Sequence, residues 1–168
     1  MGLWMIQSLK KELQDAYSFA GLCEMASGET ISSLVDCNDS RFLAPESMIK
    51  AVQEYCEDTG QQIPKTPGQL ACVIYRSLAQ CYGKPVREIE EMTGVHYKKL
   101  HVVGGGANAG YLNRLTAAST GKTVLAGPTE ATAIGNLMVQ MMAKGVLADL
   151  KAARQCVYDS FEMKIYEP

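Results

Sequence analysis

The segment Leu100-His-Val-Val-Gly-Gly-Gly106 decides the fold, because an apolar run ends there in three consecutive glycines. A helical pattern over residues 111–119 follows it. A strand, a glycine turn and a helix in this order bring backbone N–H groups close to a phosphate or an adenosine. Glycine allows that approach because a Cβ atom would collide with a ligand lying against the backbone. A tight turn that binds no ligand explains the glycines equally well.

The composition is that of a globular domain of ordinary size, or of part of a larger one. Of the 168 residues, 47% are hydrophobic and 20% are charged, and the formal net charge is −2. Acidic and basic residues are interspersed without a basic stripe, which argues against nucleic acid as a partner. No apolar run approaches the roughly 18–20 residues of a membrane span, and the first residues lack the order of a signal peptide. We expect a cytoplasmic protein that does not bind a membrane.

The six cysteines are scattered along the chain and form no Cys-x-x-Cys pair. Zinc sites need tighter clusters of ligands, so we expect no metal site among these residues. We expect the thiols to be reduced, and those on apolar helix faces to be buried. Cys56 and Cys72 lie on either side of a loop between two helices, and the sequence leaves open whether they meet across that loop.

Apolar spacing predicts at least four helices before the three consecutive glycines. The first starts at residue 2 without a cap, the second covers residues 15–27, and the third has Pro45 at its first position. The fourth begins with Thr66-Pro-Gly-Gln69, a capping box in which Thr66 is the N-cap. Pro85 interrupts the pattern of this last segment, which is either one kinked helix or two helices.

After the three glycines, Asn108 is the expected N-cap of a helix that ends at Gly121. Thr123–Ala126 form a second short strand. A last helix over residues 149–161 and an extended segment over residues 163–166 complete the chain. Between them a helix carries apolar residues at helical spacing, which predicts a buried face. The residues of that face are Ile134, Leu137, Met138, Met141 and Met142.

The balance of elements predicts that part of the domain lies upstream of this chain. About seven helices accompany two convincing strands, and two parallel strands alone do not make a stable sheet. The uncapped apolar helix at the start supports the same prediction, because the first N–H groups of such a helix lack hydrogen-bond partners.

Two other nucleotide motifs match only in part. Gly104-x-Gly106-x-x-Ala109 follows a strand, as in dinucleotide-binding domains, but no carboxylate ends the next strand to hold a ribose. Gly121-Lys-Thr123 matches the last three residues of a P-loop motif, but Thr116 occupies the position at which that motif needs its first glycine. No nucleophile signature occurs, and we interpret the two histidines beside the central strand as structural.

Three segments together resemble the C-terminal domain of the FGGY family of carbohydrate kinases. They are Leu100-His-Val-Val-Gly-Gly-Gly-Ala-Asn108, Tyr111-Leu-Asn-Arg-Leu-Thr-Ala117 and Gly121-Lys-Thr-Val-Leu-Ala-Gly-Pro-Thr-Glu-Ala-Thr-Ala-Ile-Gly-Asn136. The opening Gly2-Leu-Trp-Met-Ile-Gln7 and the loop Asn38-Asp-Ser-Arg-Phe-Leu43 are similar to the same family. The likeness covers nearly the whole chain in order and is greatest to the branch that acts on L-rhamnulose.

The resemblance implies an α/β fold: a helix-rich, few-stranded part of an actin-like (ribonuclease H-like) ATPase domain. Residues 1–168 would then be the C-terminal nucleotide-binding domain of a sugar kinase, incomplete at its N-terminal side. Such an enzyme transfers the γ-phosphate of ATP, with Mg²⁺, to the 1-hydroxyl of L-rhamnulose. In the family the catalytic Asp and the sugar contacts precede the segment that resembles Met1. We therefore expect no catalytic residue in this chain and no activity from it alone.

The resemblance also implies which residues contact the nucleotide. Gln7 matches a glutamine that contacts ATP, and Gly105 matches a backbone contact to the nucleotide, with Gly104 and Gly106 shaping the turn. Many relatives carry an asparagine where this chain has Ala109, and here the amide stands one residue earlier. Two other hypotheses stay open: a free-standing, non-catalytic nucleotide-binding or assembly module, and a small dehydrogenase that binds NAD.

Overall fold

The computed structural model describes residues 2–168, and Met1 lies outside the described residues. Within this range the chain forms seven α-helices, two short 3₁₀ helices (Ser40–Phe42 and Gly104–Asn108) and a three-stranded sheet. No helix of these residues is both long and apolar enough to cross a membrane. The α-helices are α1 (Trp4–Glu12), α2 (Phe19–Ser27), α3 (Met48–Asp58), α4 (Pro67–Thr93), α5 (Gly110–Thr120), α6 (Ala131–Ala143) and α7 (Leu150–Ser160). The strands are β1 (Lys99–Val102), β2 (Thr123–Ala126) and β3 (Lys164–Tyr166).

The hydrophobic core lies among the first five helices, where α4 packs against α1, α2 and α5. Tyr75 of α4 is the largest side chain that the core buries completely. Its hydroxyl accepts a hydrogen bond from the Cys23 thiol of α2, with 3.3 Å between sulfur and oxygen. Apolar residues of α1 and α3 close the core from the other side, among them Met5, Ile6, Leu9, Met48 and Val52.

The start of α4 confirms Thr66 as the N-cap, but the Gln69 side chain reaches back to the residue before the N-cap and not to the N-cap itself. The Thr66 hydroxyl accepts a hydrogen bond from the Gln69 N–H at 3.1 Å, and the Gln69 side chain accepts one from the Lys65 N–H at 2.8 Å. Pro85 lies inside a continuous helix of 27 residues, so the segment is one helix and not two. This long helix runs from the core to the side of the sheet.

The sheet has the order β1-β2-β3, with β1 and β2 parallel and β3 antiparallel to β2. Leu100 is opposite Val124, and Val102 is opposite Ala126. Both predicted strands and the terminal extended segment are confirmed. The parallel register brings the carboxyl ends of β1 and β2 together at one edge of the sheet.

Helix α1 begins at Trp4 and not at residue 2, although no side chain caps it, as predicted. Two further predicted helix starts are wrong. Helix α2 begins at Phe19, not at residue 15, because Gln14 and Asp15 adopt left-handed backbone angles and Ser18 caps the helix with its hydroxyl. Helix α3 begins at Met48, since Ser47 is its N-cap and Pro45 lies before the helix. In both places a serine hydroxyl accepts a backbone N–H bond, and that bond sets the first turn.

The prediction that α6 buries an apolar face is wrong. None of its side chains is buried: Leu137 is 53% exposed, and Ile134, Met138, Met141 and Met142 are only half-buried. Helix α7 packs along α6, and a groove of about 1290 Å³ lies between these helices and the ends of β1 and β2. The helical spacing of the apolar residues is as predicted, but the described residues cover that face only in part.

All six cysteines are free thiols, so Cys56 and Cys72 do not form a disulfide. Both are buried on helices, which agrees with the expectation for cysteines on apolar helix faces; Cys37, in the loop before the first 3₁₀ helix, is buried too. Burial raises the pKa of the Cys56 thiol.

Candidate functional site

Two loops lie side by side at the carboxyl ends of β1 and β2. The Gly104 N–H donates to the Pro128 carbonyl at 3.1 Å, and the Gly127 N–H donates to the Val102 carbonyl at 2.9 Å. The Thr129 hydroxyl lies 3.4 Å from the side-chain oxygen of Asn108. Ligands of open α/β sheets bind outside the carboxyl ends of parallel strands. This edge is therefore the candidate site.

The three glycines form the start of the second 3₁₀ helix, Gly104–Asn108, and we call this segment the glycine turn. Gly104 has a φ of 71°, a left-handed conformation that favours glycine over other residues. The prediction that Asn108 caps α5 is wrong, because Asn108 lies inside the glycine turn and its side chain is placed against Thr129. The residue before α5 is Ala109, which provides no side-chain cap.

Of the three glycines in the glycine turn, only Gly105 is exposed. A Cβ atom built on it would meet no protein atom within 4 Å, so its backbone faces open space. Gly106 is more enclosed, since a Cβ there would lie 3.4 Å from a Val102 methyl and 3.5 Å from a Leu3 methyl. A flat ligand can therefore approach the bare backbone at Gly105. The assignment of Gly104, Gly105 and Gly106 to the nucleotide stays a prediction.

Helix α1 brings Gln7 toward the same region. Leu3 precedes α1, with a methyl group 3.5 Å from where a Cβ on Gly106 would lie, and the Gln7 N–H donates to the Leu3 carbonyl at 3.0 Å. Residues four apart lie above one another on a helix, so Gln7 lies one turn after Leu3 on the same face of α1. Its side chain is exposed. The assignment of Gln7 to ATP stays a prediction that this placement allows.

The helices that begin at this edge differ from most others in the described chain. Four helices start with a side-chain cap, from Ser18, Ser47, Thr66 and Asp149. Helices α5 and α6 follow the two parallel strands and start without one. Uncapped N–H groups and the positive end of the helix dipole attract anions. The edge thus suits a phosphate better than the four capped helix starts do; α1 also lacks a side-chain cap.

Asn113 of α5 is part of this site, and our sequence analysis missed it. Its side chain is 2% exposed, and its amide nitrogen donates to the Gly106 carbonyl at 3.3 Å and to the Ala107 carbonyl at 3.1 Å. The available signal was a polar residue beside Leu112 on a face that is otherwise apolar.

Tyr111 places the first turn of α5 against α4. Its ring meets the Tyr75 ring edge-on, with 5.9 Å between centroids, and its hydroxyl lies 3.8 Å from the Cys72 sulfur. Burial, with the neighbouring Cys72 thiol, raises the pKa of Tyr111 to about 12. The hydroxyl is therefore neutral at physiological pH, and its role is to hold α5 in place.

The charged pair of Lys122 and Glu90 lies away from the glycine turn, whereas Glu130 stands at the start of α6, next to Thr129. Lys122, which the partial P-loop match contains, is at the amino end of β2, and its ammonium lies 2.6 Å from the Glu90 carboxylate of α4. That position is about 13 Å from the carboxyl end of a four-residue strand. Among residues 2–168, no group of three His, Cys, Asp or Glu side chains could hold a metal ion.

Comparison with known proteins decides the family. The profile described as the FGGY family of carbohydrate kinases, C-terminal domain, matches residues 1–144. The chain belongs to the FGGY family of carbohydrate kinases. The C-terminal domain of this family is part of the actin-like ATPase fold, and the helix-rich architecture with a small mixed sheet agrees with the predicted fold class.

Three relatives show how the chain compares with longer FGGY kinases. It is 48% identical to a rhamnulokinase of Halalkalibacterium halodurans over 99% of this chain and 36% of that protein. It is 47% identical to a rhamnulokinase of Bacillus subtilis over 100% of this chain and 35% of that protein. It is 39% identical to a rhamnulokinase of Pectobacterium carotovorum over 100% of this chain and 34% of that protein. The chain thus spans about a third of the length of these relatives.

Proposed function

We propose that this chain is the nucleotide-binding part of an ATP-dependent kinase that phosphorylates L-rhamnulose on its 1-hydroxyl. The relatives named rhamnulokinase support the sugar, since the likeness runs along nearly the whole chain. The observation that carries nucleotide binding is the bare backbone at Gly105, which faces open space at the carboxyl ends of two parallel strands. The proposal includes a cytoplasmic location, as expected from the sequence.

In this proposal the nucleotide lies against the glycine turn. The Gly105 backbone is the contact surface, Gly104 and Gly106 give the turn its shape, and Gln7 approaches from α1. The open space at Gly105 fits a flat adenosine, because the wall there has no side chain. Phosphoryl transfer depends mainly on positioning and on neutralising charge, and this edge supplies positioning.

Mg²⁺ enters the proposal as a companion of the nucleotide phosphates. Magnesium is commonly held by substrate phosphates with one or two carboxylates and several waters. The described residues contain no cluster that could hold the ion by themselves. We propose that the Asp that takes the proton of the sugar hydroxyl lies in the part of the kinase that this chain does not cover.

Calorimetry on this chain tests the proposal. We expect saturable heat when MgATP is titrated into the protein, and no heat with NAD at the same concentrations. In a coupled assay for ADP, we expect no turnover when L-rhamnulose and MgATP are added to the chain alone. Absence of MgATP binding would contradict the nucleotide site, and turnover would contradict the placement of the catalytic Asp outside this chain.

A further inference from the structure

The glycine turn has almost no side chains with which to hold its own shape. Three of the five residues in Gly104–Asn108 are glycines, which lose more conformational freedom on ordering than any other residue. Contacts from outside the segment must therefore fix it. One such contact is the bond from the Gly104 N–H to the Pro128 carbonyl, at the start of the turn.

Asn113 provides the contact at the other end of the turn. Its amide nitrogen donates to the carbonyls of Gly106 and Ala107, at 3.3 and 3.1 Å. The Gly106 carbonyl also accepts the Ala109 N–H at 3.1 Å, so one buried side chain and one backbone group hold the same oxygen. Because Asn113 is 2% exposed, water does not compete for these bonds as it does at a surface.

The direction of these bonds determines which side of the turn is exposed. Asn113 holds the carbonyls of Gly106 and Ala107 on the protein side, and Ala107 is itself 5% exposed. Gly105, just before them, is left facing open space. An altered turn would therefore change the surface that Gly105 presents.

We propose that Asn113 is the positioning residue that holds the glycine turn in the shape that binds the nucleotide. The inference rests on the proposed nucleotide site and adds a residue that is buried and touches no ligand. Asn113 acts through the backbone of Gly106 and Ala107, so its removal weakens nucleotide binding at the exposed Gly105.

Two matched substitutions test this inference. Asn113→Asp keeps the size of the side chain but replaces the donating nitrogen by an oxygen that faces two carbonyls. Thr116→Val is the control: Thr116 is also buried on α5, but its hydroxyl donates to the Leu112 carbonyl within the helix, at 2.8 Å. Both variants lose a buried hydrogen bond, and only the first loses a bond to the glycine turn.

Two measurements are made on each variant below its unfolding temperature. Calorimetry with MgATP should show binding about tenfold weaker for Asn113→Asp and unchanged for Thr116→Val, since two lost hydrogen bonds are worth at least a factor of ten. Hydrogen exchange of the amides of residues 104–109 should be about tenfold faster in Asn113→Asp alone. If Asn113→Asp does not fold, Asn113→Ser replaces it, because a hydroxyl cannot reach both carbonyls.

The outcomes separate this inference from the proposed function. If the unchanged protein binds MgATP and Asn113→Asp binds it equally well, Asn113 is not a positioning residue. If the unchanged protein binds no MgATP, the nucleotide site is wrong and the positioning role for the nucleotide falls with it. In that case equal exchange rates in the two variants would show that Asn113 does not hold the turn either.

Discussion

The Lys122 ammonium donates a hydrogen bond to the Glu90 carboxylate at 2.6 Å, and this bond joins the last turns of α4 to the start of β2. The Tyr97 N–H donates to the same carboxylate at 2.8 Å. The side chains of Glu90 and Lys122 are 11% and 16% exposed, so the pair is largely shielded from solvent. This charged pair thus connects α4 to the amino end of β2, whereas the glycine turn lies at the carboxyl ends of the parallel strands.

This pair predicts a loss of stability in acid. The hydrogen bond from Lys122 lowers the pKa of Glu90, with further help from the Tyr97 N–H. Because the folded pKa lies below the unfolded value of about 4.5, the stabilisation is present above that pH and disappears as the pH falls through the folded pKa. We expect Glu90→Gln to be less stable than the unchanged protein at pH 7, with the gap closing below pH 4.5.

Urea unfolding at pH values from 3 to 7 measures that gap. Glu88→Gln is the control, because Glu88 forms an exposed pair with Lys84 at 3.7 Å, and exposed pairs contribute little. A gap for Glu90→Gln that stays constant down to pH 3 would show that the Lys122 bond does not depend on the ionised carboxylate.

Gly105→Ala should weaken nucleotide binding without harming the fold. A Cβ at Gly105 meets no protein atom within 4 Å, and its φ lies outside the left-handed region, so the protein accommodates the methyl group. The same methyl group would occupy the surface that the nucleotide needs, and we expect MgATP affinity to fall at least tenfold in calorimetry.

Gly135→Ala is the matched control, because a Cβ at this position of α6 also meets nothing within 4 Å. It should bind MgATP as the unchanged protein does and gain roughly 0.5–1 kcal/mol of stability, as expected for alanine in a helix interior. Unchanged MgATP affinity in Gly105→Ala would remove Gly105 from the nucleotide site.

Cys37 predicts a loss of stability in alkali. Burial, with the neighbouring Cys81, raises the pKa of the Cys37 thiol from 9.0 to about 12. A raised folded pKa gives stability that is complete below the unfolded value and falls as the pH rises from about 9 toward 12. We expect a slope of up to about 1.4 kcal/mol per pH unit from this group.

Chemical unfolding between pH 8 and 10.5 measures the slope. Cys37→Ala should be less stable at pH 8, since it leaves a cavity at a site that is 1% exposed, but should lose less stability as the pH rises. Cys156→Ala, on the partly exposed face of α7, should keep the original slope. Parallel curves for Cys37→Ala and the unchanged protein would contradict the buried thiol as the cause.

Val139 of α6 lies outside the predicted apolar face, and shortening its side chain should cost little stability. Val139 is 60% exposed, and Val139→Ala should change the free energy of unfolding by less than about 0.5 kcal/mol. Val124 of β2 is completely buried, and Val124→Ala should cost about 2 kcal/mol from lost burial and the cavity left behind. Thermal unfolding of both variants checks the contrast; equal losses would mean that α6 is covered after all.

Local chemistry made several elements predictable from the sequence. The Thr66 and Gln69 pair marked the start of α4 because both partners of a capping box lie within four residues. The two parallel strands and the end of α5 at Gly121 were likewise found from short apolar runs and a glycine. These signals depend on neighbours in the chain and need no tertiary contact.

Other features depend on which residues meet across the fold. The apolar spacing of α6 was correct, but spacing says nothing of whether a partner covers the face. Asn113 looked like an ordinary helix residue, because its two carbonyl partners are identified only once the glycine turn folds back on α5. The glycines of the candidate site were found from sequence, while the residue that holds them was not.

The glycine turn also bears on how binding at this edge responds to salt. Residues Gly104–Asn108 carry no charged side chain, and Lys122 is engaged by Glu90 at the far end of β2. Attraction at the turn comes from backbone N–H groups and helix dipoles, which carry partial charges, and salt screens partial charges as well as the full charges of side chains. The affinity that this edge contributes should therefore fall less steeply with ionic strength than the affinity of a site built on lysine and arginine, and the slope becomes a way to tell the two kinds of recognition apart.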